Sequence, residues 1–289
     1  MKWRGKRQSS NIEDKRSQQA RAGLNLGVII PIIRFLLSTK IGRIVLVVGV
    51  VAYFLGFNPL SLLNTSSAVS TQQIDKSKDD EAAQFVATVL AQTEDVWNQI
   101  FTQNGAKYKE PNLVLFRGAV DSGCGFASSQ VGPFYCPADQ KVYLDLSFFD
   151  ELAKRHDAPG DFAQAYVIAH EIGHHVQQLL GTLNQSNRAK QLAKSQTAQN
   201  AIQVKIELQA DCYSGIWAHY LDKDKNLLED GDINEALNAA SMIGDDTLQK
   251  KYQGHVVPDS FTHGSSQQRK AWFYKGFQTG SLKSCQIQI

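Results

Sequence analysis

His170-Glu171-Ile172-Gly173-His174 carries the residue types from which hydrolytic metal chemistry is built. The surrounding segment repeats apolar residues at helical spacing. On a helix, positions i and i+4 share a face, so His170 and His174 can each offer an imidazole nitrogen to one ion. Glu171 is next to them, within reach of a water held by that ion. Two neutral nitrogens, a carboxylate and an ion that acidifies water are the parts of zinc-dependent peptide hydrolysis. A structural or storage zinc has no use for Glu171, so this residue separates an enzyme from a metal-binding module. Against that, Glu is a good helix former and can stand there for no chemical reason.

A catalytic zinc ordinarily has three protein ligands and one open position. Glu207 and Asp211, within Glu207-Leu208-Gln209-Ala210-Asp211, are again i and i+4 and face one way. The mechanistic reading gives Glu207 to the metal and lets Asp211 accept the spare ring N–H of a ligating histidine, fixing its tautomer. The alternative is a pair of solvated carboxylates on a helix surface, the usual fate of these residues. His175 points about 100° away from His174 on a helix and reads as a packing or supporting residue. In Thr262-His263-Gly264-Ser265-Ser266-Gln267-Gln268-Arg269, His263 or Arg269 could supply a proton or positive charge to the oxyanion. Equally, Arg269 could pair with a structural carboxylate and His263 could cap the following helix. His219 reads as a packing residue, and His255 has only a weak case.

The elements that must position these residues follow from the apolar pattern. Phe85, Val86, Val89, Leu90, Val96, Trp97, Ile100 and Phe101 predict an amphipathic helix over 80–103. Strands are expected at 112–116 and 141–146, with a Gly- and Pro-containing loop over 121–140 between them. A short helix is expected over 147–155. Asp161 is placed to cap the metal-binding helix and Gly181 to end it. The polar stretch 182–200 reads as a mobile connection or a solvated helix. Ile202 to Tyr220 mark a second long helix, and 233–252 is helical again. Trp272, Phe273 and Phe277 should pack. An extended peptide could add to an exposed edge near 141–146.

The net charge of +2 conceals a split. Up to Arg43 there are ten Lys/Arg and only two acidic residues, leaving 20 of the 30 basic and 26 of the 28 acidic residues for the remainder. An acidic body argues against nucleic-acid binding. The boundary falls at 44–63 (IVLVVGVVAYFLGFNPLSLL), twenty uncharged residues, about the length that crosses a bilayer. The expected organisation is a basic cytoplasmic segment 1–43, a transmembrane helix 44–63, a Ser/Thr/Gln-rich linker 64–79 and a catalytic domain 80–289. Basic residues before the span place the N-terminus inside a bacterial cytoplasmic membrane and the body in the periplasm or outside. The shorter run 24–33, broken by Pro31, is too short to span. All four cysteines lie beyond the span, which suits two disulfides in an oxidising compartment: Cys124–Cys136 around a short loop, and Cys212–Cys285 tying down the tail.

Several blocks resemble the bacterial neutral zinc metallopeptidases, the YpfJ-like membrane proteins. They are MKWRGKRQSSNIEDKR, the span, GCGFASSQVGPFYCPADQKVYLDLSFF, HEIGHHVQQLLG, ELQADCYSGIWAH and FTHGSSQQRKAWFYKG. The resemblance implies an α+β, zincin-like domain, mostly helical with a small sheet, behind a single-pass anchor. It implies Zn²⁺ held by His170, His174 and Glu207, with Glu171 catalytic, Asp211 behind the ligands and His263 in a catalytic role. The expected activity is a membrane-anchored zinc endopeptidase acting on protein or peptide substrates of the envelope. The competing expectation is a zinc-bound scaffold or chaperone without catalysis.

Overall fold

The computed structural model describes residues 1–17, 34, 38, 39, 42, 75–128, 131–155 and 158–289. Met1–Gln19 and Lys76–Ile289 form one compact unit, and Ala20–Asp75 a second. The predicted span 44–63 and most of the predicted linker fall outside the described residues. Among the described residues, no helix is long and apolar enough to cross a membrane.

Two apolar pentapeptides make the centre of a four-stranded sheet. Strand β2 (Asn112–Phe116) pairs in parallel with β6 (Lys141–Asp145), Leu113 opposite Val142 and Leu115 opposite Leu144. Both are buried almost throughout, as internal parallel strands are. The other pairings are β1 (Ile12–Asp14), parallel to β2, and β5 (Phe134–Cys136), antiparallel to β6, giving the order β1-β2-β6-β5. Hairpin β3 (Ala119–Ser122) and β4 (Gly125–Ser128) forms a separate two-stranded sheet. The region 121–140 is therefore partly strand and not simply loop. Its segments are only three or four residues long, too short for alternation to stand out. The edge nearest the predicted peptide-binding position is β5, because β6 lies inside the sheet.

The sheet carries a correction. β1 belongs to residues 1–17, which the charge split assigns to a separate cytoplasmic segment. Met1 and Trp3 are buried in the main core. The Met1 ammonium bonds Asp161 and Asp232 at 2.7 and 3.2 Å. Arg7 pairs with Glu94 and Asp95, and Arg16 with Asp14, Asp79 and Asp80. Much of the basic charge there neutralises carboxylates of the body. Residues 1–17 therefore fold with the body, β1 and β2 being strands of one sheet.

The helices pack on this sheet and on one another. Helix α1 (Lys76–Gln103) begins within the predicted linker and buries the expected Phe85, Val86, Val89, Leu90, Val96 and Trp97. Helix α2 (Ser147–Arg155) leads to α3 (Asp161–Leu179), the helix of the His-Glu pair. Asp161 is the first residue of α3 and not its cap, since Gly160 holds the cap position and the Asp161 carboxylate binds Met1. Gly181 ends the helix in left-handed backbone. The polar stretch forms α4 (Thr182–Leu192), then α5 (Gln196–Lys223). The segment 233–252 is two helices, α6 (Asp232–Met242) and α7 (Asp245–Gln253), broken at Gly244. Helix α8 (Ser266–Thr279) lies along α5 so closely that a Cβ on Gly276 would collide with the Cys212 carbonyl. The disulfides pair Cys124 with Cys136 and Cys212 with Cys285.

Candidate metal centre

On α3, residues 166, 170, 174 and 177 fall on one stripe by i+4, i+4, i+3 spacing. Across from it runs α5 with Glu207 and Asp211. The two helices approach closely at Gly173, where an added Cβ would sit 3.0 Å from the Ala210 carbonyl oxygen. This contact brings Glu207 Oε2 to 3.2 Å from His170 Nε2 and 3.4 Å from His174 Nε2. One donor atom from each of the three lies within 4.8 Å of the others. His170, Glu171 and Glu207 are buried, and His174 is half-buried.

Hydrogen bonds fix what those atoms are. His170 Nδ1 lies 2.8 Å from Asp211 Oδ1, a pure acceptor, so Nδ1 carries the proton and Nε2 a lone pair. His174 Nδ1 lies 2.9 Å from Gln177 Oε1. The amide of Gln177 cannot be turned round, because its NH₂ donates to the Ile206 carbonyl at 2.8 Å and to Gln209 Oε1 at 3.0 Å. Gln209 in turn donates to the Cys285 carbonyl at 2.9 Å. With both Nδ1 atoms engaged, each Nε2 is the ring atom left to face Glu207, through a shared proton in the metal-free protein or through a lone pair if an ion is bound. Three donors converging in a buried space could hold a metal ion, and two imidazoles with one carboxylate suit zinc. The donor set fits the metal.

The third candidate donor is steered too. Gln203 Nε2 donates to Glu207 Oε1 at 2.7 Å, leaving Oε2 for the ion. Lys190 donates to Gln203 Oε1 at 2.7 Å. Behind His170, Asp211 accepts from Tyr166 Oη at 2.5 Å and from Arg269 Nε and Nη2, both at 2.9 Å. Arg269 is thus committed to a structural carboxylate, one of the two readings its position allows.

Protonation follows this arrangement. Burial alone would lower His170, but Asp211 and Glu207 outweigh it and bring it up to about 10. Burial would raise Glu207, yet the two histidines hold it well below the usual carboxylate range. In the metal-free protein the cluster thus holds a proton where the ion would sit. Burial would raise Asp211, and Arg269 first and His170 next bring it down to about 2. Burial pushes Glu171 upward, against the pull of His170, His174 and the Tyr135 backbone amide on the edge strand. His175 bonds the Lys109 carbonyl and Tyr135 Oη, and burial lowers it to about 4 against the pull of that carbonyl, which marks it as a neutral packing residue.

A cleft of about 560 Å³ opens over the three donors. Its lining includes Glu171, Phe134 and Tyr135 of the edge strand, Lys190, Leu248, His263 and Arg269. His263 does not cap α8; Ser265 does, in a capping box with Gln268. The backbone N–H groups of Thr262, His263 and Gly264 instead converge on Asp245 Oδ2 at 2.7, 2.6 and 3.0 Å. His263 Nδ1 lies 3.3 Å from Asp245 Oδ1. That bond, helped by Glu207, raises the imidazole above its ordinary value against the effect of burial. Sequence reasoning missed Tyr166, Gln177 and Gln203. Each lies three or four residues from a ligand on the same helix, a spacing that could have found them. It also missed Asp245, which no local spacing indicates.

Removing Arg269 tests this frame. Arg269→Leu strands Asp211 as a buried carboxylate with too few donors, which costs about 3–5 kcal/mol. Thermal unfolding is expected to fall by roughly 10 °C. An unchanged melting temperature would show that the pair contributes nothing.

A family described as "Putative neutral zinc metallopeptidase" matches residues 1–287. The chain belongs to that family. It is 49% identical to the uncharacterized protein YpfJ of Escherichia coli over 288 residues, 99% of this chain and 98% of that one. It is 46% identical over 188 residues, 62% of each chain, to an uncharacterized protein of Mycobacterium tuberculosis. No solved structure matches it. Family membership thus extends over residues 1–17, in keeping with their place in the sheet.

Proposed function

We propose that this chain is a zinc-dependent peptidase working through His170, His174, Glu207 and Glu171. The observation that carries the reading is the convergence of donor atoms of His170, His174 and Glu207 within 4.8 Å of one another, beside the buried carboxylate of Glu171. When bound at these atoms, zinc supplies a Lewis acid and brings the pKa of a water down to about 7. Glu171 takes the proton from the attacking water and passes it to the leaving amine. His263, held by Asp245, donates to the developing oxyanion, because its Nε2 has no partner among the described residues. The outer side of β5 offers an extended peptide a strand to pair with, above Glu171.

Two disulfides suit a body exposed to an oxidising compartment. On this reading β1 travels with the body to the same side. The substrates are then peptides or proteins of that compartment.

Metal removal tests the proposal. Stripping the protein with 1,10-phenanthroline should abolish cleavage of a denatured protein such as casein, and one equivalent of Zn²⁺ should restore it. Full cleavage by protein shown to be free of metal would overturn the reading.

A further inference from the structure

Helix α4 sits between the two ligand-bearing helices, and its Lys190 lines the cleft. The charges around it are otherwise balanced. Arg269 is paired with Asp211 and His263 with Asp245. A divalent ion at the three donors would be offset by Glu207 and Glu171. Lys190, by contrast, meets a neutral amide, Gln203 Oε1 at 2.7 Å, and no described residue forms an ion pair with it. An ammonium has three donors, so two remain for a ligand. The cleft lining holds apolar Leu183, Ile206 and Leu248 as well as polar Ser186 and Asn187, and its partly buried surface strengthens an ion pair formed there.

We infer that Lys190 selects substrates carrying a carboxylate close to the scissile bond, an acidic side chain or a C-terminal carboxylate. The inference rests on the peptidase reading and names the substrate class for the same site. Lys190 is two hydrogen bonds away from the ligand Glu207, through Gln203. At about 3.3 Å per residue of extended peptide, the selected carboxylate lies within about two residues of the cleaved bond. Burial lowers Lys190 from its ordinary value while Glu207 opposes that shift, which fits an ammonium that gains from an anionic partner.

The test uses the full chain, zinc-loaded. Casein sequences spanning a bond that the natural chain cuts are synthesised as matched pairs, Glu against Gln near that bond and free acid against amide at a C-terminus close to it. Binding is measured by calorimetry on Glu171→Gln, which holds peptides uncut, and cleavage on the natural chain. The acidic member of a pair should bind roughly tenfold tighter. Added Lys190→Met should erase that preference and Lys190→Glu reverse it, with one zinc per chain throughout. A response confined to the Glu/Gln pairs assigns the side chain, and one confined to the acid/amide pairs assigns the C-terminus. If cleavage occurs with no charge preference, or the preference survives Lys190→Met, the inference falls and the peptidase reading stands. A preference that vanishes only in step with lost zinc makes Lys190 a brace for Gln203 and also overturns it. If the natural chain cuts nothing, the peptidase reading falls first.

Discussion

On the proposed mechanism, Glu171→Gln is expected to yield a folded protein that binds zinc and cleaves peptides about 10²- to 10⁴-fold more slowly than the natural chain, the range for loss of a general base. The replacement keeps the shape of the side chain and an oxygen that can accept from Tyr135 N–H. It removes only the group that takes a proton. The metal-ligating atoms of His170, His174 and Glu207 belong to other residues, so zinc content is expected to stay at one per chain. A scaffold that merely holds zinc would show no difference, and unchanged cleavage by a zinc-loaded variant would sink the mechanism.

The same variant carries a stability signature. Burial raises the folded Glu171 above its unfolded value, so the folded metal-free protein resists its ionisation. As pH rises from the unfolded carboxylate range through the raised folded value, the natural chain loses the stability that this resistance represents. Glutamine has no proton to lose. The metal-free variant should therefore melt higher than the natural chain at pH 7, with the gain shrinking as the pH falls to 4. A gain that grows toward acid would mean that Glu171 is not held in the way the site requires. Calorimetry on metal-free samples at the two pH values separates the outcomes.

The grouping of side chains at the candidate site was legible because helical geometry is local. His170 and His174 share a face through hydrogen bonds only four residues long, and Glu207 and Asp211 repeat the pattern. What spacing could not supply was the contact between those two helices, which depends on the small Gly173 meeting Ala210. Nor could it choose between roles for Arg269, since an arginine that reaches a distant carboxylate looks the same in sequence as one that faces substrate. His263 is similar: its position is set by Asp245 on another helix. The β2 and β6 strands were readable from unbroken apolar runs. β1 was not, because Ile12-Glu13-Asp14 is a short polar edge strand whose surroundings read as a charged tail. Composition records that a segment is basic but not that its partners are the carboxylates of a fold 60 or more residues away.

Deleting residues 1–17 is accordingly expected to cost the fold, although no catalytic residue lies within them. The deletion removes β1 and opens the β2 edge, taking away the bonds from Leu113 N–H to the Asn11 carbonyl and from Lys15 N–H to the Leu115 carbonyl. Trp3 leaves a hole beside Phe85, whose ring lies 5.3 Å away. Glu94, buried under Arg7, Ser9 and Asn11, loses all three partners. Replacing Trp3 alone by Ala in the full chain should cost about 3–5 kcal/mol, and for a body of this size that lowers melting by roughly 10 °C. The summed loss in the deletion is comparable with the entire net stability of an ordinary domain, about 5–15 kcal/mol. The deleted chain should therefore show no cooperative melt and no zinc retention. If it melts like the natural chain and binds zinc, residues 1–17 are a detachable segment after all. A cooperative loss would instead tie the first strand and the metal centre to the same side of any membrane that residues 44–63 enter, because one sheet cannot close across a bilayer.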